Sequence, residues 1–520
     1  MWCVRKNHKK VAVFVLIIML LVSFSTFATA AEPAVSGGAR FSLALKGDGT
    51  VWAWGQGGAL GDETSSFEYQ TSLVQVKSDL WTDFTGVAAV EAGDIFSVAV
   101  KEDGTVWTWG GYGLGRLGQG QFVRSTYPGK VEGVSDIVAV SANSHTLALK
   151  ADGTVWAWGY GGQGRIGDGE QETRSEPVQV QGLTGVTAVA AGNTHSVALK
   201  EDGTVWAWGD NLFQTLGIDQ RGDVLTPTQV PGLSDVTAID AGNRFTMALK
   251  DDGTVMAWGQ GLWNWLGTAG RNTPVPVPNL SNVKAISAGD NHCLFLKEDD
   301  TVWVWGGPND EGQLGTGTVE DKEPVRDQGE VRPPRQVPGL NNVLAIEGGG
   351  GYGEVFSMAM VQEDEEQIVL RIGQPSARIG GVSLYAWGEN DYGQLGDGTT
   401  ELRTSPVKVP IDLTPAMALD VPPEIVNGRT VVPLRFIGEQ LGASFEWDGE
   451  TRQITYTKDD TTILLWIGQN RAVVNGEELT LDVPPEIING RTVVPLRFIG
   501  EQLGASFEWE GTTQTITITP

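Results

Sequence analysis

Histidine is the side chain that most readily supplies a general base or a metal ligand near neutral pH, and residues 31–520 contain three: His145, His195 and His292. Each lies ten residues before a strand of the form VWxWG, in separate copies of a repeat. Because they are in separate copies, they cannot converge within the roughly 2 Å bonds that a metal requires. Four other copies hold phenylalanine at this position, which predicts a packing site, so we expect no metal, no cofactor and no catalytic residue. The phenylalanines are Phe41, Phe96, Phe245 and, once an insertion is removed, Phe356.

The other reactive residue types follow the same repeat. Cys293 aligns with serine or threonine in the sister copies, which predicts a small strand residue and not a nucleophile. The only other cysteine is Cys3, within the first 30 residues, so we expect no intrachain disulfide. Asp-Gly pairs recur in five copies, and we interpret them as hairpin turns rather than calcium ligands because none lies in a DxDxDG loop. These pairs begin at Asp48, Asp103, Asp152, Asp202 and Asp252.

A repeated strand must position all of these residues. A period of about 50 residues indicates one supersecondary unit that recurs along the chain. In the copy at 189–236, HSVALK and TVWAWG are joined by Glu-Asp-Gly, a hairpin signal, and TPTQVP and DVTAIDAG supply two more strands. The two tryptophans of VWAWG share one sheet face and the small residues share the other, so each sheet is expected to be covered on both faces. The copies are at 51–55, 106–110, 155–159, 205–209, 255–259, 302–306 and, as LYAWG, at 384–388.

These repeats resemble the regulator of chromosome condensation repeat family. The resemblance covers about residues 31–412 and rests on AGxxHSxALKxDGTVWAWG and on ENDYGQLGDGTTELRTSPVKVP at 389–410. It implies a mostly β fold, a seven-bladed β-propeller of four-stranded antiparallel blades, which leaves few exposed sheet edges. A linear stack of sheets is the alternative. The closure of the ring is left open between residues 31–38 as a first strand and residues 405–412 as a last strand.

Two segments are inserted into the repeats, and the loop after the Trp strand differs in sequence in two of the copies. The segments at 361–381 and 318–334 are expected to be surface insertions. After the Trp strand, the fourth and fifth copies lack the glycine that precedes the Arg/Gln position elsewhere, and they carry large apolar residues. We interpret these as a candidate partner-contact patch, with packing of the rings against the blade edge as the alternative. The candidate residues are Leu212, Phe213, Leu262, Trp263, Trp265 and, at the position of Phe213 and Trp263, Tyr392.

Residues 413–520 form a second predicted domain, in which the segment 419–457 returns at 481–519 with 33 of 39 positions identical. The pattern predicts a small α+β domain of two near-identical halves. In the first half Pro433 opens a short helix, Gly442 ends it, and a hairpin directs Phe445, Trp447, Ile454 and Tyr456 inwards.

NGRTVVPLRFIGEQLGA, present in both halves, resembles the copper amine oxidase N-terminal-like domain, also called a stalk domain. Residues 413–520 contain no histidine, so copper binding and amine oxidation are not expected. The family's usual occurrence implies a surface or envelope module of bacterial proteins. The arginines that recur with the fold are expected to be structural. They are Arg429, Arg435, Arg491 and Arg497.

Residues 1–30 are predicted to be a signal peptide. Four basic residues precede the apolar run VAVFVLIIMLLV, and Ala28-Thr29-Ala30 fits a cleavage site. An uncleaved anchor helix is the alternative. Without this segment the chain has 32 basic and 64 acidic residues, a net charge of −32, which disfavours nucleic acid as a partner. We therefore expect an extracytoplasmic protein, secreted or associated with the cell surface, with no membrane span after cleavage.

The leading functional hypothesis is a non-enzymatic binding or scaffold protein. Its propeller would hold a protein or a cell-wall component, and the C-terminal domain would be a spacer or anchor; the sequence leaves the partner and the oligomeric state open. An inhibitor of a secreted enzyme is the alternative, because a propeller-type β-lactamase inhibitory protein has a related fold. Guanine nucleotide exchange, as in the eukaryotic namesake, is disfavoured by the signal and the charge. An enzyme with carboxylates converging in the central channel or on one face is a fourth hypothesis.

Overall fold

Six four-stranded antiparallel sheets follow one another along the chain, and a seventh set of four consecutive strands is part of a seven-stranded sheet. The computed structural model describes residues 31–63, 68–111, 113–122, 124–212, 214–259, 273–306, 309–319, 333–351, 353–374, 376–419 and 421–520. The first strand of every sheet contacts the first strand of the next, and that of the seventh contacts that of the first, so the sheets are the blades of a closed β-propeller. The predicted seven-bladed fold is confirmed.

The strands of each blade run outwards from the propeller axis in chain order. Blades 1 to 4 comprise Ala34–Gly37, Phe41–Leu45, Val51–Gln56 and Tyr69–Gln75; Val87–Ala92, Phe96–Lys101, Val106–Gly110 and Ser125–Lys130; Ile137–Ala142, His145–Lys150, Val155–Gly159 and Arg174–Gln179, with a 3-10 turn at Gly162–Gly164; and Val186–Ala191, His195–Lys200, Val205–Gly209 and Val224–Gln229. Blades 5 to 7 comprise Val236–Ala241, Thr246–Lys250, Val255–Trp258 and Val275–Pro276; Val283–Ala288, His292–Lys297, Val302–Gly306 and Arg335–Gln336; and Val343–Gly351, Glu354–Arg371, Ser376–Gly388 and Arg403–Asp412. Within the two long strands of blade 7, residues 363–371 and 376–382 lie outside the propeller.

The ring closes without an exchange of strands between its ends. Ala34–Gly37 is the first strand of blade 1, and Arg403–Asp412 is the last strand of blade 7, so both segments considered from the sequence are used, each within its own blade. Side chains and backbone groups of blades 1 and 7 must therefore hold the seam. Arg40 of blade 1 pairs with Glu354 of blade 7 at 2.8 Å, and the Gly350 amide donates to the Gly38 carbonyl at 3.0 Å.

Alternation along VWxWG decides how the blades stack. The second tryptophan of each copy is fully buried, as Trp54, Trp158 and Trp208 illustrate, because it faces the next sheet. The first tryptophan is half-buried on the outer part of the blade. A lysine of the second strand covers it in several blades, as Lys46 covers the ring of Trp52 at 4.7 Å.

The chain divides into two compact units, and the second is not continuous in sequence. Unit 1 contains residues 31–362 and 383–413, and unit 2 contains residues 363–382 and 414–520. Unit 2 has two halves, and most strands and the helix of the first half recur in the second. They are Ala416–Ala418, Glu424–Val426, Arg429–Pro433, helix α1 (Leu434–Gln440), Ser444–Asp448, Gln453–Lys458, Thr461–Trp466, Arg471–Val474, Glu477–Thr480, Glu486–Ile488, Arg491–Pro495, helix α2 (Leu496–Gln502), Ser506–Glu510 and Thr515–Thr519.

The segment 361–381 is not a surface insertion, and that prediction is wrong. Ile368 pairs with Ile518 and Leu370 with Ile516, and both residues of the segment are buried in the core of unit 2. In the other half Ile463 and Leu465 pair in the same register with Tyr456 and Ile454. The reason is a hidden repeat: IVLRIGQ at 368–374 corresponds to ILLWIGQ at 463–469, and unit 2 needs this strand in both halves. The other expected insertion lies mostly at 320–332, outside the described residues.

Backbone hydrogen bonds show the same correspondence. The Gly373 amide donates to the Pro423 carbonyl at 2.9 Å, and the Gly468 amide donates to the Pro485 carbonyl at 2.8 Å. Propeller residues 383–413 are thus inserted, in sequence, between the first strand pair of unit 2 and the rest of its first half.

The predicted helix and most of the predicted hairpin are confirmed. Helix α1 follows Pro433 and ends before Gly442, and Ile454 and Tyr456 are buried. Trp447 does not face inwards: 44% of it is exposed, because its strand is the edge strand of a five-stranded sheet.

Candidate binding face

Antiparallel strands place two kinds of loop at opposite ends of the propeller. The turns between the first and second strands and the loops between the third and fourth strands lie at one end, which we call the loop face. The Asp-Gly hairpins lie at the other end, the hairpin face. There, Asp202 Oδ1 accepts hydrogen bonds from the Thr204 amide at 3.0 Å and the Thr204 hydroxyl at 2.6 Å. These bonds lower the pKa of Asp202 and confirm its interpretation as a turn residue.

In the loop-face loops of blades 1, 2, 3, 6 and 7, one carbonyl joins two blades. The Arg165 carbonyl of blade 3 accepts the indole N–H of Trp208 at 2.9 Å and the hydroxyl of Ser196 at 2.8 Å, both from blade 4. Gly167 follows so closely that a Cβ there would lie 2.6 Å from the Trp208 ring. The tryptophan bond recurs as Trp54 to Gln394, Trp109 to Ala59, Trp158 to Arg116 and Trp387 to Gln313.

The three histidines extend this contact and are packing residues, as predicted. His145 Nε2 lies 2.6 Å from Ser196 Oγ, whose single proton goes to the Arg165 carbonyl, so the histidine must donate. His195 contacts Thr246 Oγ1 at 2.9 Å and His292 contacts Ser357 Oγ at 2.8 Å. Burial lowers the pKa of His195 to about 3 and that of His292 to about 4. These rings are neutral at physiological pH and unsuited to proton transfer.

Cys293 is equally enclosed. It is fully buried in the second strand of blade 6, and burial raises the pKa of its thiol well above the usual value. A buried thiol of raised pKa is a poor nucleophile, in agreement with its interpretation as a small strand residue. Among the described residues, no group of three His, Cys, Asp or Glu side chains is arranged to hold a metal ion.

Carboxylates do converge in the central channel, which the sequence could not show. Glu91, Asp240 and Glu347 occupy the same position of the first strand in blades 2, 5 and 7 and line a cavity of about 100 Å³. Burial and the neighbouring carboxylates raise the pKa of Glu91 well above its usual value and that of Glu347 to about 8, and burial raises the pKa of Asp240 to about 6. Perturbed carboxyl groups of this kind occur in many active sites.

In this channel, however, the carboxylates act as acceptors that join blades. Asp240 Oδ2 accepts the Ala288 amide of blade 6 at 2.7 Å, and Glu347 Oε1 accepts the Gly37 amide of blade 1 at 3.3 Å. Serines do the same in other blades: Ser141 Oγ accepts the Ala191 amide at 3.0 Å. The corresponding residue of blade 4 is Ala190, which has no acceptor, and there Asp240 Oδ1 accepts the Ala241 amide at 2.8 Å.

The predicted contact patch is only partly described. Leu212 is 65% exposed on the loop face, and its amide donates to Asp210 Oδ1 at 2.8 Å. Gln214 takes the place of the missing glycine and adopts the same left-handed backbone, with φ of 58°. Tyr392 is half-buried in blade 7 under the guanidinium of Arg40, 4.5 Å from its ring, so the structure does not place it beside Leu212. Phe213, Leu262, Trp263 and Trp265 lie outside the described residues.

A groove of about 600 Å³ crosses the loop face over blades 2 to 5 and includes Leu212. Arg116, Arg165 and Arg244 line it, together with Leu114, and Arg165 stacks on Tyr160 with 4.5 Å between the guanidinium carbon and the ring centre. Asp94 lines both this groove and the channel, so the groove borders the mouth of the channel. Three guanidinium groups in one groove are notable in a chain of net charge −28.

Sequence reasoning missed two exposed residues of the hairpin face, Leu80 and Trp81. Trp81 is 89% exposed, and its amide donates to Asp79 Oδ1 at 2.8 Å. The signal was in the spacing: the connection from blade 1 to blade 2, VKSDLWTDFTGV at 76–87, is longer than VQGLTGV at 180–186.

In unit 2 the recurring arginines make surface ion pairs. Arg429 Nε lies 2.8 Å from Asp482, and Arg435 and Arg497 lie 3.9 Å and 4.0 Å from the glutamate four residues later on helices α1 and α2. Trp509, which corresponds to Trp447, is 49% exposed and lines a groove of about 650 Å³. The two helices have seven residues each, and no helix in the described part of the chain is long and apolar enough to cross a membrane.

Family comparisons agree with the two-part architecture. Residues 20–354 match the RCC1-like domain, and residues 383–416 match the regulator of chromosome condensation (RCC1) repeat. The chain belongs to the RCC1-like domain family. The segment that contributes a strand to unit 2 lies between these two RCC1-like matches, and residues 414–518 match the copper amine oxidase N-terminal domain.

Solved RCC1-like propellers share the fold. Prp20p from Saccharomyces cerevisiae is 23% identical with a TM-score of 0.54, over 63% of this chain and 81% of that chain. Human WBSCR16 is 22% identical with a TM-score of 0.53, over 62% of this chain and 85% of that chain. At this identity the likeness shows the fold alone.

Curated relatives match shorter stretches. The E3 ubiquitin-protein ligase HERC2 of Homo sapiens is 37% identical over 107 residues, which are 20% of this chain and 2% of HERC2. A protease inhibitor of Brevibacillus choshinensis is 33% identical over 75 residues, which are 14% of this chain and 23% of the inhibitor. The chain thus covers a small part of each relative.

Proposed function

We propose that this chain is an extracytoplasmic binding protein without catalytic activity, whose propeller holds a partner protein on the loop face and whose unit 2 is a spacer or anchor. The loop-face groove carries the proposal. It combines an exposed apolar residue, Leu212, with three arginines, and such a mixture suits a protein contact. The groups that would suggest catalysis, the channel carboxylates and the histidines, are engaged in contacts between blades.

Affinity capture tests the proposal. The protein spanning 31–520 would be immobilised and offered secreted and envelope extracts of its own source organism, beside Leu212→Asp, Trp265→Ala and, as a matched control on the hairpin face, Trp81→Ala. We expect one protein to be retained near one to one by the parent and by Trp81→Ala, and to fall at least tenfold with Leu212→Asp. Loss with Trp81→Ala alone would place the contact on the other face. Retention of wall polymer, or of nothing, would contradict a protein partner.

Inhibition of a secreted enzyme is the second candidate, favoured by the 33% identity with a protease inhibitor. If the captured protein is an enzyme, its activity should fall in proportion to the propeller added and should be spared by Leu212→Asp. An enzyme whose activity does not change on binding would argue for a scaffold.

Extracytoplasmic location rests on residues 1–30 and has its own test. The full chain would be expressed in a bacterial host, and the exported protein would be sequenced from its N-terminus. We expect the mature chain to begin at Ala31. Retention in the cytoplasm would contradict the location, and an exported chain that keeps residues 1–30 would favour the anchor helix.

A further inference from the structure

Two arginines occupy the same position of neighbouring blades but differ in their surroundings. Arg165 of blade 3 donates from Nε to the Gly162 carbonyl at 2.9 Å and from Nη1 to the Ser144 hydroxyl at 2.8 Å, and it stacks on Tyr160. Arg116 of blade 2 makes none of these bonds. Among the residues that the structure describes, its guanidinium makes no hydrogen bond, and its nearest acidic oxygen, of Asp94, is 4.0 Å away.

Three changes in blade 2 explain the difference. Arg165 Nη2 also donates to Gln163 Oε1, and the residue that corresponds to Gln163 is Leu114, which cannot accept a hydrogen bond. The residue that corresponds to Ser144 is Ile95, which has no hydroxyl to accept a hydrogen bond. The residue that corresponds to Tyr160 is Gly111, which has no ring to stack against. Blade 2 thus keeps the arginine and lacks all three side chains that hold its counterpart.

Within the described part of the chain, this leaves a buried cation with an ion pair to Asp94 at 4.0 Å and no hydrogen bond. Arg116 is only 7% exposed, and a guanidinium has five N–H donors whose burial without acceptors is costly. Other blades place the neutral Gln313 or Gln394 at this position, so the fold itself does not require a charge there.

The groove offers Arg116 room for an acceptor from another molecule. Arg165 and Arg244 line the same groove, and Leu114 and Leu212 supply apolar surface. Two of the carboxylates that line it already accept hydrogen bonds: Asp210 from the Leu212 amide, and Asp223 from Gln171 Nε2 at 2.9 Å.

We propose that Arg116 is the anchor of a carboxylate subsite, and that the loop-face groove takes an acidic residue of a polypeptide partner with an apolar neighbour against Leu114 or Leu212. An arginine fork matches a carboxylate in two parallel hydrogen bonds, which neither lysine nor glutamine can reproduce. The inference rests on the proposed function, since it names the chemistry that the partner must present.

A peptide array tests the subsite. The probes are N-acetylated, C-amidated twelve-residue peptides with a central glutamate between varied apolar residues, each beside a twin with glutamine. A third set has no acidic residue and a free C-terminal carboxylate, which separates side-chain from terminal carboxylates. We expect some glutamate peptides to bind at least tenfold more tightly than their glutamine twins, or some free-terminus peptides to bind at least tenfold more tightly than the same peptides with an amidated C-terminus.

The variants decide whether Arg116 is responsible. Arg116→Gln should abolish the preference for a carboxylate while leaving the melting temperature unchanged, because glutamine occupies this position in blades 6 and 7. Arg116→Lys should retain only part of it. Arg403→Gln, which removes a cation paired with Asp397 in blade 7, should leave it intact.

Equal binding of acidic and neutral twins, or a preference that survives Arg116→Gln, would overturn the subsite. The outcome is separable from that of the proposed function. If a partner is captured and its binding depends on Leu212 but not on Arg116, the binding face is supported and the carboxylate subsite is contradicted. If carboxylate peptides bind but no partner is captured, the subsite is supported and the proposed function is contradicted.

Discussion

The indole N–H of Trp54, in blade 1, donates to the main-chain carbonyl of Gln394, in blade 7, at 2.8 Å. The same bond joins blades 1 and 2, blades 2 and 3, blades 3 and 4, and blades 6 and 7, so the seam of the ring uses the ordinary contact between blades. No strand crosses this seam, because both ends of the propeller complete their own blades. The stability of the closed ring therefore depends on side chains and backbone groups at this junction.

Trp54→Phe should weaken the seam. It removes one hydrogen bond and leaves a small cavity, and we expect the free energy of unfolding to fall by about 2–4 kcal/mol. Trp52→Phe, two residues away on the half-buried side, should cost less than about 1 kcal/mol because its indole donates to Thr50 near solvent. Urea unfolding followed by far-ultraviolet circular dichroism measures both. Equal losses would mean that the buried bond does not contribute.

His195→Phe should change the free energy of unfolding little near neutral pH, and should mainly change how that free energy depends on pH. Four blades already hold phenylalanine here, so the loss near pH 7.5 should be under about 1 kcal/mol. The pKa of His195 is about 3 when folded, against 6.5 in the unfolded chain, so the unfolded chain binds more protons and stability is lost as pH falls below 6.5. At pH 5 the variant should recover about 2 kcal/mol relative to the parent. Urea unfolding at several pH values measures the free energy of unfolding of both proteins. If it depended on pH in the same way in parent and variant, the pKa of folded His195 would not be lowered.

Glu347→Gln should act in the opposite direction. Burial raises the pKa of Glu347 from 4.5 to about 8, so the folded state holds a proton that the unfolded chain has released, and stability is lost as pH rises from about 4.5 to 8. Glutamine keeps the acceptor for the Gly37 amide and cannot ionise. The free energy of unfolding of the variant should exceed that of the parent by on the order of a few kcal/mol at pH 8 and by little at pH 4.5. Urea unfolding at both pH values measures the difference. A constant difference across this range would contradict the raised pKa.

Gly93→Ala should be far more damaging than Gly182→Ala. A Cβ on Gly93 would lie 2.3 Å from the Phe96 ring. In blades 1, 4, 5, 6 and 7 the Phe or His ring that corresponds to Phe96 lies equally close to the glycine three or more residues before it. We expect a loss of about 3 kcal/mol from overpacking. Gly182 has a φ of 71° and open space around it, so alanine there should cost only about 1 kcal/mol in backbone strain. Thermal melts compare the two, and similar losses would mean that the ring moves aside.

Replacing residues 363–382 by a short turn should unfold part of unit 2. The strand that pairs with Ile516 and Ile518 would be lost, and those residues would be exposed. Amide hydrogen exchange should rise several-fold at 506–519 and stay unchanged at 444–458, which has its own partner strand at 461–466. The unchanged strand is the internal control. Protection that persists at 506–519 would show that the inserted strand is dispensable.

Much of the fold follows from local regularity. The 50-residue period, the Asp-Gly hairpins and the tryptophan alternation predict seven four-stranded blades, because each feature depends on residues close in sequence. The strand at 368–371 was missed because its partner is Thr515–Ile518, some 150 residues away, and because the charged run EDEEQ beside it suggests a surface loop.

The candidate site was less accessible to sequence reasoning. Repeat alignment showed that His195 shares its position with phenylalanine and correctly predicted a packing role. It could not show that Glu91, Asp240 and Glu347 meet at the axis, since convergence depends on the closure of the ring. Nor could it show that Arg116 makes no hydrogen bond to any residue that the structure describes, which depends on Ile95 and Gly111 at the same end of the blade.

By itself, the sequence determined the unit that repeats, its hairpins, the packing role of each His or Phe position and the duplication of unit 2. These are set by period, alternation and turn chemistry, all of them local. Only the tertiary structure decided which carbonyl accepts the indole N–H of Trp54, which carboxylates share the channel and that 363–382 belongs to unit 2. It also decided that Arg116 is buried without a hydrogen bond to any described residue. Each of these joins residues from separate repeats, and the distance between such residues is fixed only when the blades close into a ring or the halves of unit 2 pair.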